Sequence, residues 1–231
     1  MARPLIIGVG GAHSGAGKTA CVSLLLRKLK GWGAIKYTKT DLYCSLTDDR
    51  NVLATTDKDT MRMLEAGAER VLWAQASSSG LGEVLPLAID RLSDLKGIIV
   101  EGNSAIEFLG PDIIIFVFGK DSRILKERAE RVLQRANALV VKGELGDEVK
   151  RDARRFRKSP DGEKALVLYV LEMVEIKEKI RALVQTNSRQ GKLTCALARK
   201  IAEELKVPYR EVGEAADELR IKISDCGLGC F

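Results

Sequence analysis

The stretch Gly11-Ala12-His13-Ser14-Gly15-Ala16-Gly17-Lys18-Thr19 restricts what this chain can fold into more than any other. Its spacing follows the phosphate-binding pattern Gly-x4-Gly-Lys-Ser/Thr, with Ala12 in the first glycine position and Gly11 just before it. Such a loop needs little side chain, because its backbone must approach phosphate oxygens closely. Gly15 and Gly17 allow that approach, and successive N–H groups then face the anion. In this pattern Lys18 reaches the β- and γ-phosphates and the Thr19 hydroxyl holds Mg²⁺. A helix starting here adds its positive N-terminal end. His13 and Ser14 fill variable slots, where backbone geometry does the binding, and His13 reads as an outward-facing side chain. The flanks agree with the motif. Leu5-Ile6-Ile7-Gly8-Val9 is a short apolar strand, and Val22, Leu25, Leu26 and Leu29 recur at helical spacing over 20–30.

The remaining pattern extends this unit. Strands are expected over 33–38, 70–74, 97–102, 112–118 and 138–141, and helices over 59–66, 81–92 and 122–135. Alternating strands and helices imply an α/β fold, a P-loop NTPase with a mostly parallel sheet flanked by helices. Ligands of such sheets bind at the carboxyl ends of the strands. Thr19, the segment from Thr38 to Asp41, Glu101 and Lys142 fall at or just beyond such ends. The polar segment 39–58 has no periodicity and reads as a functional loop. The basic run 150–158 reads as a solvated helix face in preference to an anion-binding patch. Ser159-Pro160-Asp161-Gly162 reads as a boundary, separating a nucleotide-binding domain over 1–158 from a helical domain over 163–231.

The C-terminal third differs in kind. Leu166, Val170, Met173, Ile180 and Val184 mark one long helix. Leu193, Leu197, Ile201 and Leu205 mark a second, and Val212, Ala216 and Leu219 a third after the Val207-Pro208 break. Ile221 and Ile223 alternate into an extended tail. This is a small all-helical, helix-turn-helix-like domain. Its would-be reading helix carries Glu211, Glu214, Asp217 and Glu218 against Arg210 and Arg220. Phosphate attraction supplies much of DNA affinity, so nucleic acid is not the expected partner. A docking or dimerising module is the preferred reading.

The chain has five cysteines, an odd number, which together with a phosphate loop points to a reducing cytoplasm and free thiols or a metal site. Cys195, Cys226 and Cys230 are candidate ligands for zinc or an iron–sulfur cluster. Cys21 reads as a small buried hydrophobe. No apolar run approaches the ~20 residues of a membrane span. The apolar N-terminal run leads into the phosphate loop rather than a cleavage site, so it reads as a strand and not a leader.

The phosphate loop, Ala34-Ile35-Lys36-Tyr37-Thr38, the stretch from Lys58 through Asp59, Arg62 and Glu65 to Ala68, and Ile99-Val100-Glu101-Gly102 follow one another in the order seen in MobB. Over roughly 4–142 the chain resembles that family, the GTP-binding adapter of molybdopterin-guanine dinucleotide biosynthesis. The resemblance implies a P-loop GTPase of the group that also contains HypB and UreG, working with GTP and Mg²⁺ as a nucleotide-dependent homodimer. On that basis Gly15, Gly17, Lys18 and Thr19 bind phosphates and Mg²⁺, and Glu101 is the carboxylate facing the metal. Asp41 is a second Mg²⁺-side carboxylate. Asp59 and Arg62 sense the partner or substrate, or else form a helix-surface salt bridge. The wider group reads guanine with Asn-Lys-x-Asp, where this chain has Val141-Lys142-Gly143-Glu144. Lys142 can stack on the base and Glu144 accept from guanine, but Val141 cannot replace the asparagine, which leaves ATP open beside GTP.

The expected function is an accessory GTPase in the biosynthesis or delivery of a molybdenum or tungsten pterin cofactor, with molybdopterin as the implied cofactor. Its partner is then a cofactor-synthesising enzyme or a molybdo- or tungsto-enzyme. A metallochaperone delivering nickel or an iron–sulfur cluster through the C-terminal cysteines is the alternative. A small-molecule kinase using Arg123, Arg128, Arg131 and Arg135, and a nucleotide-responsive DNA-binding regulator, are further readings.

Overall fold

The strand Leu5–Gly11 (β1) is buried along its whole length and lies in the middle of the sheet, as a near-continuous apolar run should in a parallel arrangement. The computed structural model describes residues 3–56, 58–119, 125–142, 149 and 152–225. After β1 come Lys18–Leu26 (α1), Trp32–Lys39 (β2), Ser45–Thr47 (β3), Arg50–Thr56 (α2) and Lys58–Glu65 (α3). They are followed by Val71–Ala76 (β4), Leu81–Arg91 (α4), Gly97–Glu101 (β5), Asn103–Leu109 (α5), Ile113–Val117 (β6), Glu127–Gln134 (α6), Ala138–Val141 (β7) and Arg154–Arg157 (β8). The eight strands are ordered β3-β4-β2-β5-β1-β6-β7-β8. All neighbours are parallel except β3 with β4. This is the α/β P-loop NTPase fold, with strand β1, a glycine-rich loop and helix α1 at its centre.

Among the described residues, one apolar cluster holds α4 to the sheet and another holds α6. One gathers Ile6, Ile35, Leu72, Ile98 and Val100 with Val84, Leu85 and Ala88 of α4. The other gathers Ile114, Phe116 and Leu139 with Val132 and Leu133 of α6. At ~25 cal/mol per Å² of apolar surface, each fully buried Leu, Ile or Phe in them contributes about 2 kcal/mol.

Three segments differ from the sequence reading, each because the element is short or its cue ambiguous. The polar stretch 39–58 is not a plain loop, since it contains β3 and α2. A three-residue strand cannot show alternation. Its place is set by antiparallel pairing to β4, with the Ser45 hydroxyl 3.1 Å from Gln75 Oε1. In front of α2, the Asp49 carboxylate accepts the Asn51 N–H at 2.8 Å, and Leu53 is buried. The basic run 150–158 holds an edge strand, β8, rather than a helix face. Phe156 points inward, while Arg154 and Arg157 are exposed. The guanidinium of Arg154 lies 5.7 Å from the Phe156 ring centroid and 5.1 Å from that of Tyr169. The 159–162 stretch, read as a boundary, leads into a helix. Ser159 accepts the Gly162 N–H on its hydroxyl at 3.2 Å and the Glu163 N–H on its carbonyl at 2.8 Å, and Pro160 opens the helix Pro160–Asn187 (α7). Helix α5, directly after Glu101 and Gly102, is a further element without a sequence signal of its own.

The chain divides into two compact units, Pro4–Tyr169 and Val170–Phe231 with Met1–Arg3, so the division falls within α7. In the second unit, Lys192–Thr194 (β9) pairs in parallel with Lys222–Ser224 (β10), and between them lie Cys195–Leu205 (α8) and Tyr209–Glu218 (α9). Ile180, Val184, Leu193, Ile201, Ala202, Val212, Ala216 and Ile221 form its core. The Thr194 hydroxyl caps α8 by accepting the Leu197 N–H at 3.3 Å. Among the described residues no helix is long and apolar enough to cross a membrane.

Candidate functional site

The loop between β1 and α1 is built around two glycines in left-handed conformations, Gly15 at φ +78° and Gly17 at φ +103°. Gly17 is the N-cap of α1, and no side chain caps the helix there. The first N–H groups of α1 are therefore unclaimed by any capping side chain, the arrangement that suits an anion. Two contacts fix the loop's entry. Ala12 N–H donates to Val117 O at 3.1 Å. The Asn103 carboxamide grips the Gly11 peptide from both sides, accepting its N–H and donating to its carbonyl, both at 2.9 Å. A Cβ at Gly10 would stand 2.7 Å from Asn103 Oδ1, so this grip needs the bare backbone beside it.

Lys18 donates to His13 O at 2.9 Å, folding its ammonium back over the loop. Burial holds its pKa below the ordinary lysine value, with Glu101 acting in the opposite sense. Next to it, Thr19 Oγ1 donates to Glu101 Oε2 at 2.9 Å. Glu101 is only 2% exposed. Its other oxygen accepts from Lys36 Nζ at 2.5 Å, and Lys36 also donates to Asp59 Oδ2 at 3.1 Å. Burial works against the Lys36 charge, but the two carboxylates outweigh it and hold the pKa above the usual lysine value. Burial likewise works against the Asp59 charge. The Lys36 ammonium, with the Thr19 hydroxyl and Arg62 nearby, prevails and holds its carboxyl below the usual range.

Strand register explains why these groups meet. Glu101, the last residue of β5, stands opposite Val9 of β1 and Lys36 of β2. Asp59 reaches the same point from the first turn of α3. Three segments far apart in sequence thus converge beside Lys18 and Thr19.

Asp41 forms no hydrogen bond or ion pair with this group among the described residues. It is exposed in the loop after β2 and acts electrostatically on Tyr37. Among the described residues, the second carboxylate at this group is Asp59. Arg62, largely exposed, sits 3.5 Å from Asp59 as an i,i+3 pair. Lys142 is exposed just past β7, and Glu144 lies outside the described residues. Cys226, Cys230 and Arg123 also lie outside them. Cys195 opens α8 in the second unit. Among the described residues no set of three or more His, Cys, Asp or Glu side chains could hold a metal ion. Cys21 is buried, and burial pushes its thiol up to about 12. Arg128 and Arg131 are engaged by Glu107 of α5, at 2.8 and 2.5 Å, so they brace α5 to α6 instead of lying free over a phosphate. Sequence reasoning missed Lys36, whose cue is a lone charge in the apolar run of β2. It also missed Asn103, and it assigned Lys158, which follows β8, to a solvated face in preference to an anion-binding patch. A Cβ on Gly17 would lie 2.6 Å from Lys158 Nζ, and Lys158 has no ion pair among the described residues.

No protein-family model and no curated protein matches the sequence. Among solved structures, the chain is similar to the crystal structure of HypB from Helicobacter pylori in complex with nickel, with 16% identity and a TM-score of 0.47 over 74% of this chain and 87% of that one. At that level of likeness, no ligand or activity of that protein transfers to this chain.

Proposed function

We propose that the chain binds a nucleoside triphosphate, GTP by preference, and hydrolyses it slowly as an accessory protein in molybdenum or tungsten pterin cofactor biosynthesis or delivery. The observation carrying the nucleotide reading is the Thr19–Glu101 hydrogen bond of 2.9 Å beside a loop with two left-handed glycines and an uncapped helix start. The choice of cargo and of guanine rests on the MobB-like order of sequence stretches.

The donor set fits magnesium. Thr19, Glu101 and Asp59 present hard oxygen donors, with no thiol or imidazole among them. Bound there, Mg²⁺ would supply neutralising charge to the transferring phosphate. The chain's own residues do the rest. Loop N–H groups and Lys18 hold the β- and γ-phosphates, and Glu101 orients the Thr19 hydroxyl. Lys142, exposed just past β7, is assigned to stacking on the base. Without ligand both carboxylates at the site are engaged by Lys36, and with Mg²⁺ bound they would face the metal, so neither is free to activate water. Slow intrinsic turnover follows, which suits a switch working as a nucleotide-dependent homodimer with a cofactor-synthesising or molybdo- or tungsto-enzyme partner.

The test is purification from the native host without oxygen, followed by mass spectrometry of the bound small molecules and a GTP turnover assay. A pterin species with slow, partner-stimulated GTP hydrolysis supports the reading. Fast turnover without a partner rejects the switch. Stoichiometric nickel or iron with no pterin rejects the cofactor assignment.

A further inference from the structure

The Lys36 ammonium stands where the carboxylates of the site would otherwise repel one another. Its side chain is 14% exposed and contacts Glu101 and Asp59 together. A buried ion pair is weak evidence for stability by itself, since apolar side chains of similar volume often serve as well. The rest of β2 shows that alternative, because Trp32, Ala34 and Ile35 on the same strand are buried and apolar. The charge therefore needs a reason beyond folding.

Each oxygen at this point already has a cationic or hydroxyl partner. Glu101 uses one oxygen for Thr19 and the other for Lys36, while Asp59 shares Lys36 and pairs its other oxygen with Arg62. A divalent cation drawn to Thr19 and these carboxylates meets a positive charge already in place. Two cations cannot share the pair without repulsion, and the ammonium is the one on a tether of four methylenes. Once released from the carboxylates, the nearest anion available to it is the terminal phosphate of a nucleotide on the Lys18–Thr19 loop.

We propose that Lys36 is a tethered counter-cation: it occupies the Glu101–Asp59 pair in the nucleotide-free chain, yields that pair to Mg²⁺ when a triphosphate enters, and then contacts the terminal phosphate. This rests on the P-loop reading above and adds Lys36 to the groups that contact the nucleotide. It predicts that metal and nucleotide enter together, because the lysine opposes metal alone and rewards metal with a third phosphate. A diphosphate, lacking that third phosphate, gains nothing from Lys36.

The experiment measures Mg²⁺ affinity by calorimetry on the full chain without nucleotide. It also measures the affinities of GDP and of a non-hydrolysable GTP analogue in saturating Mg²⁺, for the unaltered chain, Lys36→Met and Lys36→Arg. Removing the competing charge should tighten Mg²⁺ about tenfold in Lys36→Met, while the preference for triphosphate over diphosphate falls about tenfold. Lys36→Arg, whose fork can grip both carboxylates, should bind Mg²⁺ more weakly than the unaltered chain. The order Met above Lys above Arg in Mg²⁺ affinity supports the proposal. Weaker Mg²⁺ binding in Lys36→Met, or an unchanged triphosphate preference, overturns it. If Lys36→Met does not fold, the arginine variant decides alone: Mg²⁺ affinity equal to or above that of the unaltered chain overturns the proposal. If the unaltered chain binds neither nucleotide, the P-loop reading itself fails. The Mg²⁺ series then still reports on whether Lys36 competes for the carboxylates.

Discussion

At the scale of single residues, the site depends on a few charges whose states the structure sets. Asp59 is held below the usual carboxylate range, so its contribution to stability is present above the unfolded value near pH ~4 and is lost as pH falls through the folded value. Lys36 is held above the usual lysine range, so its contribution is present below about pH 10 and is lost as pH rises through its folded value. These two groups by themselves leave the melting temperature level between these limits. Asp59→Asn should flatten the acid limb, and an acid limb unchanged by that substitution would show that Asp59 is not coupled to folding. Cys21 offers a second check. With its thiol pushed up to about 12 by burial, it should resist alkylation at neutral pH in the native chain, whereas exposed Cys44 should react. Mass mapping of modified peptides decides, and rapid labelling of Cys21 would contradict the buried placement.

At the scale of elements, the central strands and the loop were legible because their cues are strong and local. A continuous apolar run such as β1, a fixed motif, and helical spacing in α1 each state their own structure. What was not legible is whatever depends on strand order. Lys36 and Glu101 are 65 positions apart and meet only because β2 and β5 are neighbours in register. Asn103 belongs to a seven-residue helix with no periodic signature. The strand β8 was hidden by three arginines in four residues, a pattern that reads as solvent-facing until β7 supplies a partner. The Ser-Pro-Asp-Gly stretch carries the cues of a turn and of a helix start alike, and only the helix that follows distinguishes them. Two predictions belong at this scale. Ser159→Ala removes the hydroxyl at the start of α7 and should cost about 1 kcal/mol, read by denaturant titration. Lys158→Ala leaves packing untouched and should weaken GDP and GTP analogue alike, by roughly tenfold, since its ammonium lies beside Gly17. A loss confined to the triphosphate would put Lys158 at the wrong end of the phosphate chain.

At the scale of the whole molecule, two units of different chemistry share one chain. The first carries the glycine-rich loop on an eight-stranded sheet, and the second is a small helical module with a two-stranded parallel ribbon. Glu218 is a polar joint of that second unit, accepting from Arg3 at 2.8 Å and Arg181 at 2.6 Å. Glu218→Ala should therefore destabilise it by about 1–3 kcal/mol, seen as faster amide exchange across α9, with the β1 amides unaffected. The central claim is that the loop around Lys18 binds a Mg²⁺-triphosphate. Calorimetric titration of the full chain with a non-hydrolysable GTP analogue, with and without Mg²⁺, tests it most directly. The account predicts one saturable site per chain, tightened at least about tenfold by Mg²⁺ and lost in Lys18→Ala. Binding that ignores Mg²⁺ and survives Lys18→Ala, or no binding at all, would contradict it.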